Sequence, residues 1–387
     1  MEMIDFAGLK FKNPFVVASS PLTARPDLLK KAEDAGAAAA SSKLTFIQQP
    51  FYGKLRMYND PKVGSIVCHD RRLDLEEGVR LVEEAKRMSS LMLFTNITYE
   101  GEGLEGWARL AKAMEEAGAD LIEANLICPN LGVTARRLGG EAVKGGALVG
   151  QDPEAAKAVT QTLKEAVEIP VVCKLTPNVT DITEIARACE EGGADGITLA
   201  GAQLSLPPVD IYHPDHVYPL LRGASFGSLG GPACRLMGYA AVAQTANRVK
   251  IPIVGGGGVE TWEHAVEYMM WGATLVTACT SIMWYGFEVI TKIIEGMESF
   301  MEEQGYSSYE ELVGQALVNI RPNVELEPVA GAPQLDPEKC SGCGFCLGPG
   351  HCTAIEIVDS LAVISESDCY GCGICVAICP RKALYFA

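Results

Sequence analysis

Cysteine thiols are the side chains whose spacing in this sequence points most directly to chemistry. Of the 14 cysteines, eight crowd between Cys340 and Cys379 and form two runs. The second run is Cys369-x₂-Cys372-x₂-Cys375-x₃-Cys379-Pro380, and the first is Cys340-x₂-Cys343-x₂-Cys346-x₅-Cys352, with two extra residues before its last cysteine. In bacterial iron–sulfur proteins with this spacing, three neighbouring thiolates bind one [4Fe–4S] cluster and the fourth ligand comes from the other run. The two runs therefore predict two [4Fe–4S] clusters.

This exchange of ligands between the runs defines two predicted sets. Cys340, Cys343, Cys346 and Cys379 form the first set, and Cys369, Cys372, Cys375 and Cys352 form the second. Zinc is the alternative, because C-x₂-C pairs also occur in zinc ribbons. No histidine stands at ligand spacing, however, and soft thiolates suit iron. We expect a bacterial-type 2[4Fe–4S] ferredoxin domain over residues 336–387, preceded by a linker over residues 304–335.

The chain up to about residue 303 alternates short apolar runs with amphipathic helical stretches, as expected for β–α units. Predicted strands cover Phe15–Ser19, Ala37–Lys43, Leu91–Thr98, Leu121–Cys128, Val171–Thr176, Gly196–Gly201, Ile251–Gly256 and Leu275–Thr280. Predicted helices cover Leu28–Ala35, Leu75–Arg87, Leu104–Ala117, Pro153–Ala166, Ile182–Glu191, Cys234–Val249, Trp262–Trp271 and Phe287–Met301. Eight such units close a barrel. The predicted class is α/β: a (β/α)₈ TIM barrel over residues 1–303, with an open doubly wound sheet as the alternative.

In such barrels, chemistry takes place at the C-terminal ends of the strands. Glycines follow strand 7, and small residues end strand 8, so their N–H groups predict a phosphate site; tight turns are the alternative. Lys43 and Lys174 end strands 2 and 5 and favour an anionic cofactor. Cys128 opens a glycine-rich loop over residues 131–151, which could exclude water while the thiol supplies a proton. The alternative is that Cys128 is a small buried apolar residue.

The motifs Asn125-Leu126-Ile127-Cys128-Pro129-Asn130, Lys174–Thr180 and Gly257-Gly258 resemble the dihydroorotate dehydrogenase family, which includes dihydropyrimidine dehydrogenases. The resemblance implies a barrel that binds FMN and forms or reduces a C=C bond conjugated to a carbonyl group. Cys128 would act as proton donor or base, and Lys174 would stabilise the reduced flavin ring near N1 and O2. The other implied flavin contacts are Ala18, Ser19, Lys43, Asn96 and Asn125, with Gly230, Gly231, Gly257, Gly258, Cys279 and Thr280 around the phosphate. Asn125 would also contact the substrate and belong to the catalytic residues.

The sequence departs from this family where a pyrimidine would be recognised. Ala200-Gly201-Ala202 stands where the family carries an Asn-Thr or Asn pair, and Ile127 replaces a serine. Cys68-His69-Asp70 stands near the place of another expected asparagine. Because recognition of a ring amide depends on paired hydrogen bonds, uracil and thymine are predicted to be poor substrates. Candidate substrate contacts are Asn130, Gln203, Arg136 and Arg137, and further cations in the same loops are Arg71, Arg72 and Lys144.

Charge and hydropathy narrow the predicted partners. A net charge of −17 argues against nucleic acid. The sequence has no apolar run of 18 or more residues and no secretory leader, so we expect a cytoplasmic protein with no membrane contact. Gly101–Gly106 fits a dinucleotide fingerprint but carries Glu102 and Glu105, so we interpret it as a turn. Electrons should then come from ferredoxin or a separate NAD(P)H-oxidising subunit, in a homodimer or hetero-oligomer.

Three functions are consistent with these observations. The first is a dihydropyrimidine dehydrogenase-like oxidoreductase that relays electrons between its clusters and FMN. The second is an ene-reductase for a non-pyrimidine unsaturated acid or thioester. The third is an electron-relay subunit of a larger redox complex, which would not need the Cys128 thiol.

Overall fold

The computed structural model describes residues 2–49, 53–128, 133, 135–136, 138–140 and 145–386. The chain divides into two compact units, Met1–Ile320 and Arg321–Ala387. Within the described ranges, no helix is both long and apolar enough to cross a membrane.

A β-hairpin precedes the barrel in the first unit. It consists of β1 (Ile4–Phe6) and β2 (Leu9–Phe11), which pair antiparallel. The ring centroids of Phe6 and Phe11 lie 6.2 Å and 5.9 Å from that of Phe94, inside the barrel wall. The hairpin therefore closes the end of the barrel that lies opposite the strand C-termini.

Eight parallel strands form a closed barrel, as predicted. They are β3 (Phe15–Val17), β4 (Ala39–Ser41), β7 (Met92–Ile97), β8 (Leu121–Leu126), β9 (Val171–Leu175), β10 (Gly196–Leu199), β13 (Ile253–Gly256) and β14 (Leu275–Ala278). Each pairs with the next in chain order, and β14 pairs back to β3. Every one lies within a predicted apolar run, because strands covered on both faces are apolar almost throughout. The barrel is confirmed over the open sheet.

Helices follow the strands and cover the barrel. They are α1 (Pro26–Asp34), α2 (Leu75–Met88), α3 (Glu105–Glu116), α4 (Pro153–Ala166), α5 (Ile182–Glu191), α6 (Arg235–Ala246), α7 (Trp262–Met270), α8 (Thr280–Tyr285) and α9 (Glu288–Gln304). Asp74, Asp152 and Asp181 accept hydrogen bonds from the first N–H groups of α2, α4 and α5, which is why these helices start where they do. Among these barrel helices, the short α8 has no predicted counterpart.

A second sheet, which the sequence analysis did not predict, stands on the barrel. It contains β5 (Arg56–Asp60), β6 (Gly64–His69), β11 (Gln203–Ser205) and β12 (Gly227–Gly230), antiparallel in the order β11-β12-β6-β5. Its strands come from the connections after β4 and after β10, which leave the barrel at the C-terminal ends of those strands. The inserted sheet therefore forms a wall around the end where chemistry is expected.

Part of the predicted linker belongs to the barrel unit. Tyr309 and Leu312 are buried in the barrel core. The N–H groups of Gly314 and Ala316 donate to carbonyls of α7 at 2.9 and 3.0 Å. The segment around them is polar and contains several prolines, but burial of the Tyr309 and Leu312 side chains packs it against the barrel. The first unit therefore extends to Ile320.

The second unit is small and rich in cysteine. It contains β15 (Gln334–Leu335) paired with β18 (Leu384–Tyr385), β16 (Ile355–Val358) paired with β17 (Leu361–Ile364), and the helix α10 (Ile374–Ile378). Its buried core consists of Cys346, Ala362, Cys375 and Leu384. So few buried side chains stabilise a fold poorly without a covalent or metal cross-link.

Candidate active site

A cavity of about 670 Å³ opens at the C-terminal ends of the barrel strands. This volume suits a cofactor together with a small ligand. The inserted sheet contributes Met57, Ser65 and Val67 to the wall. The predicted site residues that line the cavity are Ala18, Ser19, Lys43, Asn125, Cys128, Lys174, Gly230, Gly231, Gly257, Gly258, Cys279 and Thr280.

One end of the cavity is built from glycine backbone. A Cβ at Gly258 would lie 2.7 Å from the carbonyl oxygen of Gly231, and one at Gly257 would lie 3.0 Å from the nitrogen of Gly201. Gly257 also has a φ of +112°, which disfavours a side chain. The hydroxyl of Tyr268 donates to the Gly257 carbonyl at 2.8 Å and fixes this turn. Only glycines allow these segments to meet, and backbone N–H groups at the wall of a cavity fit a phosphate group.

A buried carboxylate lies beneath the cavity floor. Oε2 of Glu123 accepts hydrogen bonds from Ser41 and Asn96, and Oε1 accepts one from Thr198 at 2.9 Å. Lys174 Nζ lies 3.5 Å from Glu123 Oε2, and both side chains are almost fully buried. Because a buried charge pair is tolerated only when its remaining hydrogen bonds are satisfied, this network holds the Lys174 ammonium at the cavity surface.

Asn125 orders the residues that follow β8. Its Nδ2 donates to Asn96 Oδ1 at 2.8 Å, so it is held from below by the Glu123 network. Its Oδ1 accepts the backbone N–H of Cys128 at 2.7 Å and that of Ile127 at 3.1 Å. These two hydrogen bonds turn the chain sharply after the strand and set the Cys128 thiol at the cavity wall.

A second charged group lies on the side of the inserted sheet. The Asp70 carboxylate, at the end of β6, makes buried ion pairs with Lys43 and with Arg72, the latter at 2.7 Å. Burial, followed by repulsion from Arg72, lowers the pKa of Lys43 to about 8. Burial outweighs the Asp70 attraction here because an ammonium loses its hydration on all sides. All three side chains line the cavity.

Some predicted residues lie elsewhere. Asn96 does not line the cavity but lies one layer below it, between Glu123 and Asn125. Gln203 lines a separate, much smaller cavity beside Cys234 and Met237, so the structure does not bring it to the site. Arg136 is exposed and is not a lining residue. Asn130 and Arg137 fall outside the described residues.

Glu123 and Asp70 are the site residues that the sequence analysis missed as functional. Glu123 interrupts the apolar run of β8 two positions before Asn125, and residues two apart on a strand share a face. That spacing was a readable signal for an inward-facing polar pair. Asp70 had no such signal, because its contact with Lys43 depends on the unpredicted sheet.

In the second unit, the eight cysteines surround two small cavities. One is lined by Cys340, Cys343, Cys346 and Cys379, and the other by Cys352, Cys369, Cys372 and Cys375. These are the two predicted ligand sets. Among the described residues, no three His, Cys, Asp or Glu side chains converge on a position for a single metal ion. Thiols spread around a cavity fit a larger cluster better than one tetrahedral zinc ion.

Comparison with known proteins gives matches for both units. Residues 76–301 match the model of the dihydroorotate dehydrogenase family, and residues 362–385 match that of the 4Fe-4S binding domain. The chain is 31% identical to the NAD-dependent dihydropyrimidine dehydrogenase subunit PreA of Escherichia coli K12, over 89% of this chain and 84% of that protein. It is 33% identical to the catalytic subunit of dihydroorotate dehydrogenase B (NAD(+)) of Pyrococcus furiosus, over 81% of this chain and 98% of that one. The corresponding subunit of Methanothermobacter thermautotrophicus is 34% identical, with coverages of 81% and 97%.

Proposed function

The chain belongs to the dihydroorotate dehydrogenase family, and from this premise we propose that it uses FMN and two [4Fe–4S] clusters to form or reduce a C=C bond conjugated to a carbonyl group. It is an oxidoreductase of the class that acts on CH–CH groups. The observation that carries the proposal is a single cavity that joins a glycine cradle, the Lys174 ammonium and the Cys128 thiol.

The residues present fit FMN. The cradle of Gly230, Gly231, Gly257 and Gly258 would hold the phosphate, and Lys174 would face the pyrimidine edge of the ring. When bound, the flavin supplies the two-electron chemistry as a hydride donor or acceptor. The Lys174 charge would favour the anionic reduced ring, and its ion pair with Glu123 fixes where that charge stands.

Cys128 would handle the proton that accompanies the hydride. In the direction of reduction, its Sγ–H donates to the carbon next to the carbonyl group, and in the direction of oxidation its thiolate removes that proton. The hydrogen bonds from its backbone and that of Ile127 to Asn125 hold the thiol in place. One hydride and one proton per bond balance the reaction in both directions.

The fit to a pyrimidine is poorer than the fit to the flavin. Gly201 and Ala202 line the cavity without a polar side chain, and Gln203, which could have compensated, does not line it. Two cations also line the cavity, Arg222 and Arg72, the second in its ion pair with Asp70. These observations favour the second candidate, an ene-reductase for an unsaturated acid or thioester, over a dihydropyrimidine dehydrogenase.

The test is a substrate panel with anaerobic, fully loaded protein and reduced ferredoxin or viologen. Uracil, thymine and orotate are compared with 2-enoic acids and enoyl thioesters by steady-state kinetics. Two unpaired amide groups cost roughly 1–3 kcal/mol each, so we expect the pyrimidines to be on the order of 10²-fold poorer. Gln203→Ala should not change this ranking. Efficient uracil turnover would restore the dihydropyrimidine dehydrogenase function, and a flavin that is reduced without turning over any substrate would favour the relay subunit.

For the cofactors, we propose one FMN and the two cluster sets described above. The two cysteine-lined cavities support this, and none of the 14 cysteines, all of which lie among the described residues, forms a disulfide. Anaerobically purified protein should contain about eight iron and eight acid-labile sulfide per chain. Zinc in place of iron, or FAD in place of FMN, would contradict the assignment. The electron partner that we propose is a ferredoxin or a separate NAD(P)H-oxidising subunit.

A further inference from the structure

We propose that His351 raises the reduction potential of one cluster by donating an N–H···S hydrogen bond to Cys372. This inference rests on the proposed function, since it takes Cys352, Cys369, Cys372 and Cys375 as the ligands of that cluster. We call it the second cluster, and the cluster of Cys340, Cys343, Cys346 and Cys379 the first.

The two extra residues of the first cysteine run place His351 beside the second cluster. Cys346 and Cys352 are separated by five residues, whereas Cys375 and Cys379 are separated by three. The longer segment folds into a turn in which the Cys352 N–H donates to the Pro349 carbonyl at 3.0 Å. His351 lies at the corner of this turn, next to a cluster ligand. The two extra residues therefore do more than lengthen the connection, because the longer turn places the His351 side chain beside the second cluster.

The imidazole contacts a ligand from the other run. His351 Nε2 lies 3.4 Å from Cys372 Sγ, and both residues line the cavity of the second cluster. The ring centroid of His351 lies 6.3 Å from that of Tyr370, which flanks it. A metal-bound thiolate has no proton to give and can only accept, so Nε2 must carry the hydrogen in this contact.

This donor distinguishes the two clusters. Backbone N–H groups serve both, as in the contact of Ala383 with Cys379 at 3.3 Å and that of Gly371 with Cys369 at 3.4 Å. Within the described part of the second unit, a nitrogen of a side chain hydrogen-bonds a cysteine sulfur only at His351. Reduction adds negative charge to the cluster and its sulfurs, so a donor stabilises the reduced state more than the oxidised one. Its removal should lower the potential of the second cluster alone.

The experiment compares His351→Leu with His351→Gln in the full-length, fully loaded protein. Leucine removes the donor, while glutamine keeps an N–H group of similar reach. His351 is exposed, so neither change should unfold the unit. In an EPR-monitored anaerobic redox titration at one pH, we expect the equilibrium constant for reduction of one cluster to fall about three- to tenfold in His351→Leu. Tenfold corresponds to about 59 mV for a one-electron couple. The other potential should stay unchanged, and His351→Gln should recover most of the loss.

A second readout tests the contact directly. With ¹⁵N-histidine labelling, spin-echo EPR of the reduced protein should show a nitrogen coupling that disappears in His351→Leu. Unchanged potentials, equal shifts of both clusters, or identical shifts in the leucine and glutamine variants would each overturn the proposal. Iron and sulfide counts on every sample separate this failure from that of the proposed function, since a protein without two clusters has no second potential to measure.

Discussion

At the scale of single residues, Cys128 carries the sharpest prediction. Cys128→Ala should leave FMN bound, because the thiol is not part of the glycine cradle. It should slow the substrate-dependent flavin half-reaction by the ~10²–10⁴-fold typical of a lost general acid or base. Rapid-mixing absorbance of the flavin measures this step.

The matched control is Cys68→Ala, which removes another thiol from the same cavity. Cys68 Sγ donates to the Ser225 carbonyl at 3.8 Å and interacts with the Tyr218 side chain, but it is not held by Asn125 as Cys128 is, so this change should have a much smaller effect on the half-reaction. Equal rates in wild type and Cys128→Ala would reduce Cys128 to a packing residue.

The protonation of the Lys43 side chain should make FMN binding depend on pH. Its pKa of about 8 means that the ammonium is present at pH 7 and mostly neutral at pH 9. If Lys43 contacts the flavin, affinity should fall about tenfold or more over this interval, the size of one hydrogen bond to a charged group. Burial raises the pKa values of the Cys68 and Cys279 thiols, which line the same cavity.

Flavin fluorescence titrations between pH 6.5 and 9.5 make the measurement. Lys43→Arg is the control, since a guanidinium keeps its charge throughout this range and the fall in affinity should disappear. Parallel pH profiles for the two proteins would contradict a role for the Lys43 charge.

Site residues at the ends of barrel strands could be predicted from the sequence more dependably than those in the insertions, and the reason is physical. Cys128, Lys174, Gly257 and Gly258 stand at the ends of barrel strands, and the closed barrel brings strand ends together whatever the details of the loops. Gln203 and Arg136 stand in insertions, and where an insertion folds depends on partners far away in the chain. Gln203 lies in β11 of the inserted sheet and lines the smaller cavity instead of the site.

At the scale of elements, the strands of the barrel could be predicted from the sequence, but those of the inserted sheet could not. The barrel strands were predictable because each is an apolar run bounded by an amphipathic helix. The strands of the inserted sheet are short, and β5 and β11 are only partly buried, so they carry no clear alternation. Their stability comes from pairing across segments that are more than a hundred residues apart, such as Ile66 with Leu229.

We expect the segment after α9 to contribute to the stability of the barrel unit. Leu312 is fully buried in the barrel core, although it lies in the predicted linker. Leu312→Ala should lower the free energy of unfolding by about 2–5 kcal/mol, the cost of a core cavity. Val318→Ala, nearby but 77% exposed, should change it by about 0.5 kcal/mol or less.

Urea unfolding, followed by tryptophan fluorescence, measures the free energy of unfolding of the barrel unit. All four tryptophans, Trp107, Trp262, Trp271 and Trp284, belong to the barrel unit, so unfolding of the ferredoxin unit does not contribute. Equal stability of the two variants would mean that residues 304–320 act as a linker after all.

At the scale of the whole molecule, we expect the stability of the two units to depend on their proposed cofactors to different degrees. The barrel unit has an extensive core and should fold with or without FMN, as its continuous buried cluster indicates. The ferredoxin unit buries so few side chains that its ligand bonds must supply most of its stability. Loss of a cluster should therefore disturb the second unit while FMN binding persists in the first.

The exchange of ligands between the two runs can be tested through this difference. Cys340→Ala with Cys379→Ala removes two ligands from one set, whereas Cys369→Ala with Cys379→Ala removes one ligand from each set. We expect the first double variant to keep close to half of the iron and the EPR signal of one cluster. The second double variant should keep neither cluster, and both proteins should retain FMN as evidence of a folded barrel. If each run instead bound its own cluster, the result would reverse, because Cys369 and Cys379 would then share a cluster and their joint loss would spare the other.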